Sequence, residues 1–409
     1  MNRKQLILLL VALVILGGAC LLLLNRHEES WSDSGTKLGQ KVLPNFQVND
    51  VAAIHIKGES DLDLVKKDDR WRVQQRNDYP ANFSQISDLL IKMSDLKIAQ
   101  AEPIGPSQMA RMHLEDPGKG PDSATLIEFK DAQGKALQSL LVGKKHTRKS
   151  NRPSPMPGMD DQFPDGRFVM LKSDPGEVLT VSDPLSTVDP KPSEWLNKDF
   201  FKVEKPKSVS FVSTNAADSW TLTRTNENGA FVLSDVKTGE ALDTNKVSSY
   251  SSTLSYPSFV DVVADASPAK TGMDKPLVVT IKTFDGFTYT LKIGAKTAEN
   301  NYNLQVAVTG DFPATREKTA AESADAAKSL DKLYEGKMKQ VQDKLKQEKL
   351  LEPWTYLVNN WLVDPLIRPR AQLMVEKKSD KKDDSAAPAS TPEAPGLSVP
   401  GLEPDSTTK

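Results

Sequence analysis

The chain has 409 residues, 38% hydrophobic and 26% charged, with a formal net charge of -2. This is ordinary globular material, long enough for two or three domains. Its balanced charge gives no electrostatic case for nucleic acid, and with Cys20 the only cysteine no intrachain disulfide can form.

Met1-Asn2-Arg3-Lys4 precede an uncharged run from Gln5 to Leu24. A helix of about 20 apolar residues rises about 30 Å, the hydrocarbon thickness of a bilayer. Gln5, Leu6, Leu10, Leu16 and Leu24 are therefore expected on a single membrane anchor over residues 5–24. Arg3 and Lys4 on one flank, against Arg26, Glu28 and Glu29 on the other, place residues 1–4 in the cytoplasm and the bulk of the chain outside, as a single-pass protein. Two other readings compete. Gly17-Gly18-Ala19 resembles the exit of a cleaved signal, although Leu21 to Leu24 continue the apolar run past it. Gly18-Ala19-Cys20 resembles a lipidation site, although Gly17 stands where a large aliphatic residue is usual. Residues 25–43 read as a tether.

From Phe46 onward Val51 to Ile56, Leu62 to Val65 and Trp71 to Val73 alternate apolar with polar residues, so each predicts a half-buried strand. Asn82 is the expected cap of a helix carrying Ile86, Leu89, Leu90, Met93 and Leu96. A hairpin is expected from Thr125 to Phe129 and Leu137 to Val142, ending at Gly143-Lys144. The proline-rich residues 148–166 read as a loop, and Arg167 to Leu171 as a further strand.

The same order then returns. Phe200 to Val203, Val209 to Val212, Trp220 to Thr223 and Phe231 to Leu233 match the first set; Asp243 stands where Asn82 stood, ahead of Val247, Tyr250 and Leu254. Leu277 to Phe284 and Tyr289 to Ile293 repeat the hairpin with its closing glycine, Gly294, and Asn303 to Val308 repeat the extra strand. A period this long predicts a duplicated domain rather than a solenoid. The expected class is α+β: one transmembrane helix, two duplicated domains over 44–182 and 183–315 with mainly antiparallel sheets, a helical region over 316–376 and a disordered tail over 377–409. In the helical region Ala324, Ala327, Leu330, Tyr334, Met338, Val341 and Leu345 form one stripe, read as a docking face against the chain's own domain, while Gly336 weakens a long helix. Trp354, Leu357, Val358, Trp361 and Leu362 again fall at helical spacing. They are read as core first and as a candidate partner surface second.

Trp71-Arg72-Val73, Tyr79-Pro80-Ala81-Asn82 leading into Leu89-Leu90, the hairpin closing on Leu141-Val142-Gly143, the Arg167 to Leu171 strand and Trp195 to Phe200 together resemble the bacterial domain of unknown function 4340 family, from Phe46 to Val308. The resemblance implies a membrane-anchored protein of the kind encoded beside ABC-type transporters and gliding-motility auxiliary subunits. It implies no enzymatic activity and supplies no functional residue.

The residues themselves offer no catalytic constellation. His27, His55, His113 and His146 lie far apart, without metal-ligand spacing, and no nucleophile elbow or phosphate loop occurs. The doublets Asp68-Asp69, Glu115-Asp116 and Asp160-Asp161 read as solvated turns, with weak cation binding a second reading for Asp160-Asp161. Lys144 to Lys149 form the densest basic run, read as a solvated loop with anionic lipid or glycan second. The residues predict a non-enzymatic, cofactor-free protein that contacts the lipid bilayer through its first helix, and the resemblance implies an accessory or scaffold role in which its outer domains contact an envelope protein complex, such as a transporter permease. The alternative is an envelope hydrolase or glycan-binding protein using a cleft between the repeats.

Overall fold

The computed structural model describes residues 37–149, 162–188, 190–318 and 322–375. The predicted anchor at 5–24, most of the tether, the tail and Asp160-Asp161 lie outside the described residues. Alternation builds the first strands: β1 (Ala53–Lys57) buries Ile54 and Ile56, β2 (Asp61–Lys67) buries Leu62 and Leu64, and β3 (Arg70–Val73) buries Trp71 and Val73. Asp68 and Asp69 turn β2 into β3 with φ of 50° and 58°, the left-handed pair that a tight hairpin requires. After β4 (Tyr79–Pro80) comes α1 (Phe83–Asp95), where the Asn82 side chain accepts the Gln85 N–H at 3.3 Å and Ile86, Leu89, Leu90 and Met93 are buried. Then follow β5 (Ile98–Pro103), the short α2 (Pro106–Met109), β6 (Thr125–Lys130), β7 (Ala136–Lys149), β8 (Gln162–Leu171) and β9 (Glu177–Val181). They form one nine-stranded antiparallel sheet in the order β4-β3-β2-β1-β6-β7-β8-β9-β5.

The second half contains β10 (Pro206–Val212), β11 (Trp220–Thr223), β12 (Val232–Leu233), α3 (Thr244–Ser248), β13 (Asp261–Val262), α4 (Pro268–Thr271), β14 (Leu277–Thr283), β15 (Phe287–Lys296), β16 (Asn301–Gly310), α5 (Ala324–Lys349), β17 (Tyr356–Asn359) and α6 (Asn360–Val363). Its eight-stranded antiparallel sheet runs β12-β11-β10-β14-β15-β16-β17-β13. Strand for strand this is the order of the first sheet without β4: β17 takes the place of β9, and β13 that of β5. The predicted α+β class with two antiparallel sheets is observed.

The likeness extends to detail. Asp243 caps α3 by accepting the Asn245 N–H at 3.0 Å, as Asn82 caps α1. β7 bulges between Val142 and Lys145, and β15 between Ile293 and Lys296. At each bulge a glycine passes beneath a short helical segment: a Cβ on Gly143 would lie 2.4 Å from the Met112 carbonyl oxygen, and one on Gly294 2.1 Å from that of Thr271. The glycines that look like strand terminators in the sequence are close-approach points inside strands that continue.

Three expectations differ from the structure. The hairpin does not end at Gly143-Lys144: β7 runs on to Lys149 and pairs with β8 from Gln162, so the 148–166 loop loses both its ends to strand, with Pro164 opposite Thr147. Backbone pairing holds this charged arm where side-chain burial does not. The residues from Trp354 to Leu362 are not one helix, because Tyr356–Asn359 is a strand that pairs with β16 on one side and β13 on the other. The second sheet therefore takes its penultimate strand from beyond residue 315, and α5 is inserted ahead of it. Helix α5 itself spans Gly336 without interruption, and nothing lies within 4 Å of a Cβ there. Only its C-terminal part lies on the body, with Val341 buried and Met338 and Leu345 packed on the core.

Candidate functional site

The two halves meet edge to edge. Arg76, in the turn after β3, donates from Nε and Nη2 to both carboxylate oxygens of Asp261 on β13, each at 2.7 Å, with both side chains about four-fifths buried. Asn77 adds hydrogen bonds to the Val263 and Ala264 carbonyls. Beside this clamp Tyr79 enters an aromatic cluster of the second half, with ring centroids 4.8 Å from Trp354, 5.8 Å from Phe259 and 6.0 Å from Tyr356. Burial pushes the Tyr79 hydroxyl pKa up to about 12.

Above that cluster opens a cleft of about 800 Å³. Tyr79 and Pro80 supply one wall; the 197–204 segment, Tyr256, Pro257 and the end of α5 supply the rest. Its chemistry is aromatic and charged together. The Lys198 side chain reaches from solvent to lay its ammonium 4.7 Å from the Phe259 ring centre, donating to the Val260 carbonyl at 2.9 Å. Desolvation of that ammonium lowers its pKa, against the opposing pull of Asp261 and Glu194. Lys202 lies over the Tyr256 ring at 5.6 Å, and Tyr256 is 82% exposed.

Glu348 is the one buried carboxylate in the lining, at 6% exposure. Its Oε1 accepts the Lys202 N–H at 2.9 Å, and its Oε2 lies 2.9 Å from the Tyr289 hydroxyl. Burial raises its pKa, partly offset by the Lys202 N–H and Lys344. A glycosidase cleft needs two carboxyl groups held about 5–9 Å apart across the substrate. Here Asp199 and Glu204 are exposed, and Glu348 is engaged with the Lys202 N–H and Tyr289. The arrangement holds α5 to the 202–204 segment, helped by Lys344, which donates to the Lys202 carbonyl at 2.9 Å and to Glu204 at 2.8 Å.

The candidate partner residues do not share a face. Trp354 is half-buried in the cleft, Leu357 is half-buried on β17, Val358 and Leu362 are buried, and only Trp361 is exposed, at 56%. The strand-then-helix path separates residues that an unbroken helix would align. The anchor residues Gln5, Leu6, Leu10, Leu16 and Leu24 lie outside the described residues, and no described helix is long and apolar enough to cross a membrane. Among the described residues no group of His, Cys, Asp and Glu could hold a metal ion. His55 points away from Ile54 and Ile56 and meets Asp63 at 2.7 Å; His146 meets Asp165 at 2.6 Å, on the β7–β8 arm.

Sequence reasoning raised a cleft between the repeats only as an alternative, without assigning its walls, and missed the clamp, because both join residues far apart in the chain. One signal was present: Asp183-Pro184-Leu185 after β9 recurs as Asp364-Pro365-Leu366 after β17. The Asn82 N–H donates to the Trp195 carbonyl at 2.8 Å and the Asp243 N–H to that of Leu373 at 2.9 Å, so each half closes on its own capped helix, the second as far as Val375.

No curated protein and no solved structure matches the chain. A family model does match, over residues 71–152 and 159–276, from β3 through both sides of the clamp to the approach of β14, leaving the α5 wall of the cleft outside it. By that match, over residues 71–276, the chain belongs to the family of the domain of unknown function DUF4340.

Proposed function

We propose that this is a non-enzymatic, membrane-anchored envelope protein, an accessory or scaffold subunit of an ABC-type transporter-like complex, acting through protein–protein contacts. In this reading residues 5–24 span the bacterial inner membrane once with the N-terminus in the cytoplasm, two duplicated domains lie outside it, and no cofactor takes part. The anchor raises the effective concentration of a weakly binding outer surface near its partner.

The observation that carries the reading is the free half of α5. Arg316 holds its N-terminal part through Asp331 at 2.7 Å and Glu322, and the Tyr334 hydroxyl donates to the Pro313 carbonyl at 2.6 Å. These polar contacts fix the helix while Leu330 and Leu333 stay 41% and 71% exposed. Two leucines three residues apart on a fixed helix form a small apolar ridge, the feature that helix-in-groove partners read. The full chain, extracted in mild detergent at endogenous expression, is expected to co-purify with an ABC-type permease. Leu330→Lys with Leu333→Lys is expected to abolish that recovery and leave thermal stability unchanged. Recovery of the native chain alone would overturn the reading.

A further inference from the structure

The cleft between the halves has features that neither the clamp nor α5 uses. Over the buried Tyr79, the half-buried Phe200 and Trp354 and the exposed Tyr256 present aromatic surface into it, flanked by Pro80 and Pro257. Aromatic grooves of this kind recognise polyproline-type peptides, whose rigid backbone loses little entropy on binding and whose rings stack on tyrosine and tryptophan. Lys198 and Lys202 add positive charge at the rim beside the single carboxylate of Asp199, since Glu204 is paired with Lys344.

The matching ligand is written in the same chain. Residues 376–409 lie outside the described residues, and within them Pro392-Glu393-Ala394-Pro395 is a Pro-x-x-Pro motif, followed by Pro400 and Pro404. Glu393, Glu403 and Asp405 make the stretch acidic, complementary to the two lysines. The reach is sufficient. Val375 hydrogen-bonds to Ala241, and the chain from Ala241 to Tyr256 passes through α3, so no path from Val375 to the cleft exceeds about 40 Å. The seventeen residues from Val375 to Pro392 span about 50 Å at a polyproline rise of about 3.1 Å per residue.

We propose that the cleft is a polyproline-docking groove and that its occupant is this chain's own segment around Pro392 to Pro395. Docked, the segment covers Tyr256 and joins the two halves, and tethering lets a weak contact prevail over peptides supplied from outside.

The test uses the full anchored chain in detergent, with a benzophenone amino acid placed at Tyr256 and, as a control, at Phe83, which is 67% exposed on α1. Photolysis at Tyr256 is expected to cross-link residues 388–405 of the same chain, and photolysis at Phe83 is not. Mixing isotope-labelled with unlabelled chains identifies same-chain products. Pro392→Ala with Pro395→Ala is expected to cut the cross-link about tenfold and to raise affinity for a free peptide of residues 388–405 by a similar factor, because the cis competitor is gone. Equal yields from the two positions, cross-links to a second copy or to another protein, or an unchanged yield in the double variant would each overturn the proposal. So would a free peptide that binds neither form.

Discussion

The Tyr289 hydroxyl has one proton and two acceptors, the Lys202 carbonyl and Glu348 Oε2, each at 2.9 Å. Both contacts are satisfied when Glu348 is protonated and donates to the tyrosine while the tyrosine donates to Lys202, which agrees with the upward shift that burial imposes on Glu348. The sign for stability follows. The folded pKa lies above the unfolded one, so above the ordinary carboxylate range the native state holds the extra proton, and stability falls as pH rises through that window. Urea midpoints measured against pH are expected to show this fall in the native chain and a flatter profile in Glu348→Gln; parallel profiles would remove the assignment. Gly143 and Gly294 make a second residue-level case, since neither has a positive φ and their requirement is purely steric. Alanine at either position is expected to cost about 1–3 kcal/mol by pushing the strand from the carbonyl above it, read as a lower denaturant midpoint with the m-value unchanged.

At the scale of elements, α5 holds a glycine in open solvent at its centre. Gly336→Ala is expected to stabilise the chain by about 1 kcal/mol, because it supplies helix propensity without a steric conflict, and calorimetry checks it. What the sequence revealed of each element depended on burial. Strands with one face in the core, such as Ala53–Lys57 and Pro206–Val212, alternate and were legible, as were the caps Asn82 and Asp243. The β7–β8 arm was not, because Lys144 to Lys149 belong to a strand with no apolar rhythm. Strand β17 was hidden differently. Its buried Tyr356 and Val358 alternate over only four residues, and the flanking Trp354, Trp361 and Leu362 complete a false helical spacing. The cleft left no local trace, for its walls are set by how one sheet edge meets the other.

Across the whole molecule the Arg76–Asp261 clamp and the Tyr79 cluster make two sheets into one body with a common hydrophobic core. Calorimetry of the native chain is expected to show one unfolding transition. Arg76→Ala removes a bidentate, largely desolvated ion pair worth about 2 kcal/mol; combined with Tyr79→Ala it is expected to split the trace into two transitions. A single transition in the double variant would mean that the halves are coupled elsewhere. The insertion of α5 before β17 also sets an order in time. A chain made from its N-terminus can close its first sheet once β9 is available, but β16 and β13 then wait through some forty-six residues for the strand that fills the gap between them. Until Tyr356–Asn359 emerges, the second half shows two unpaired strand edges, the surfaces on which chains mispair and aggregate. The arrival of Tyr356–Asn359 is thus the step that makes the nascent protein safe, and any interruption short of residue 356 leaves a product with these two edges uncovered.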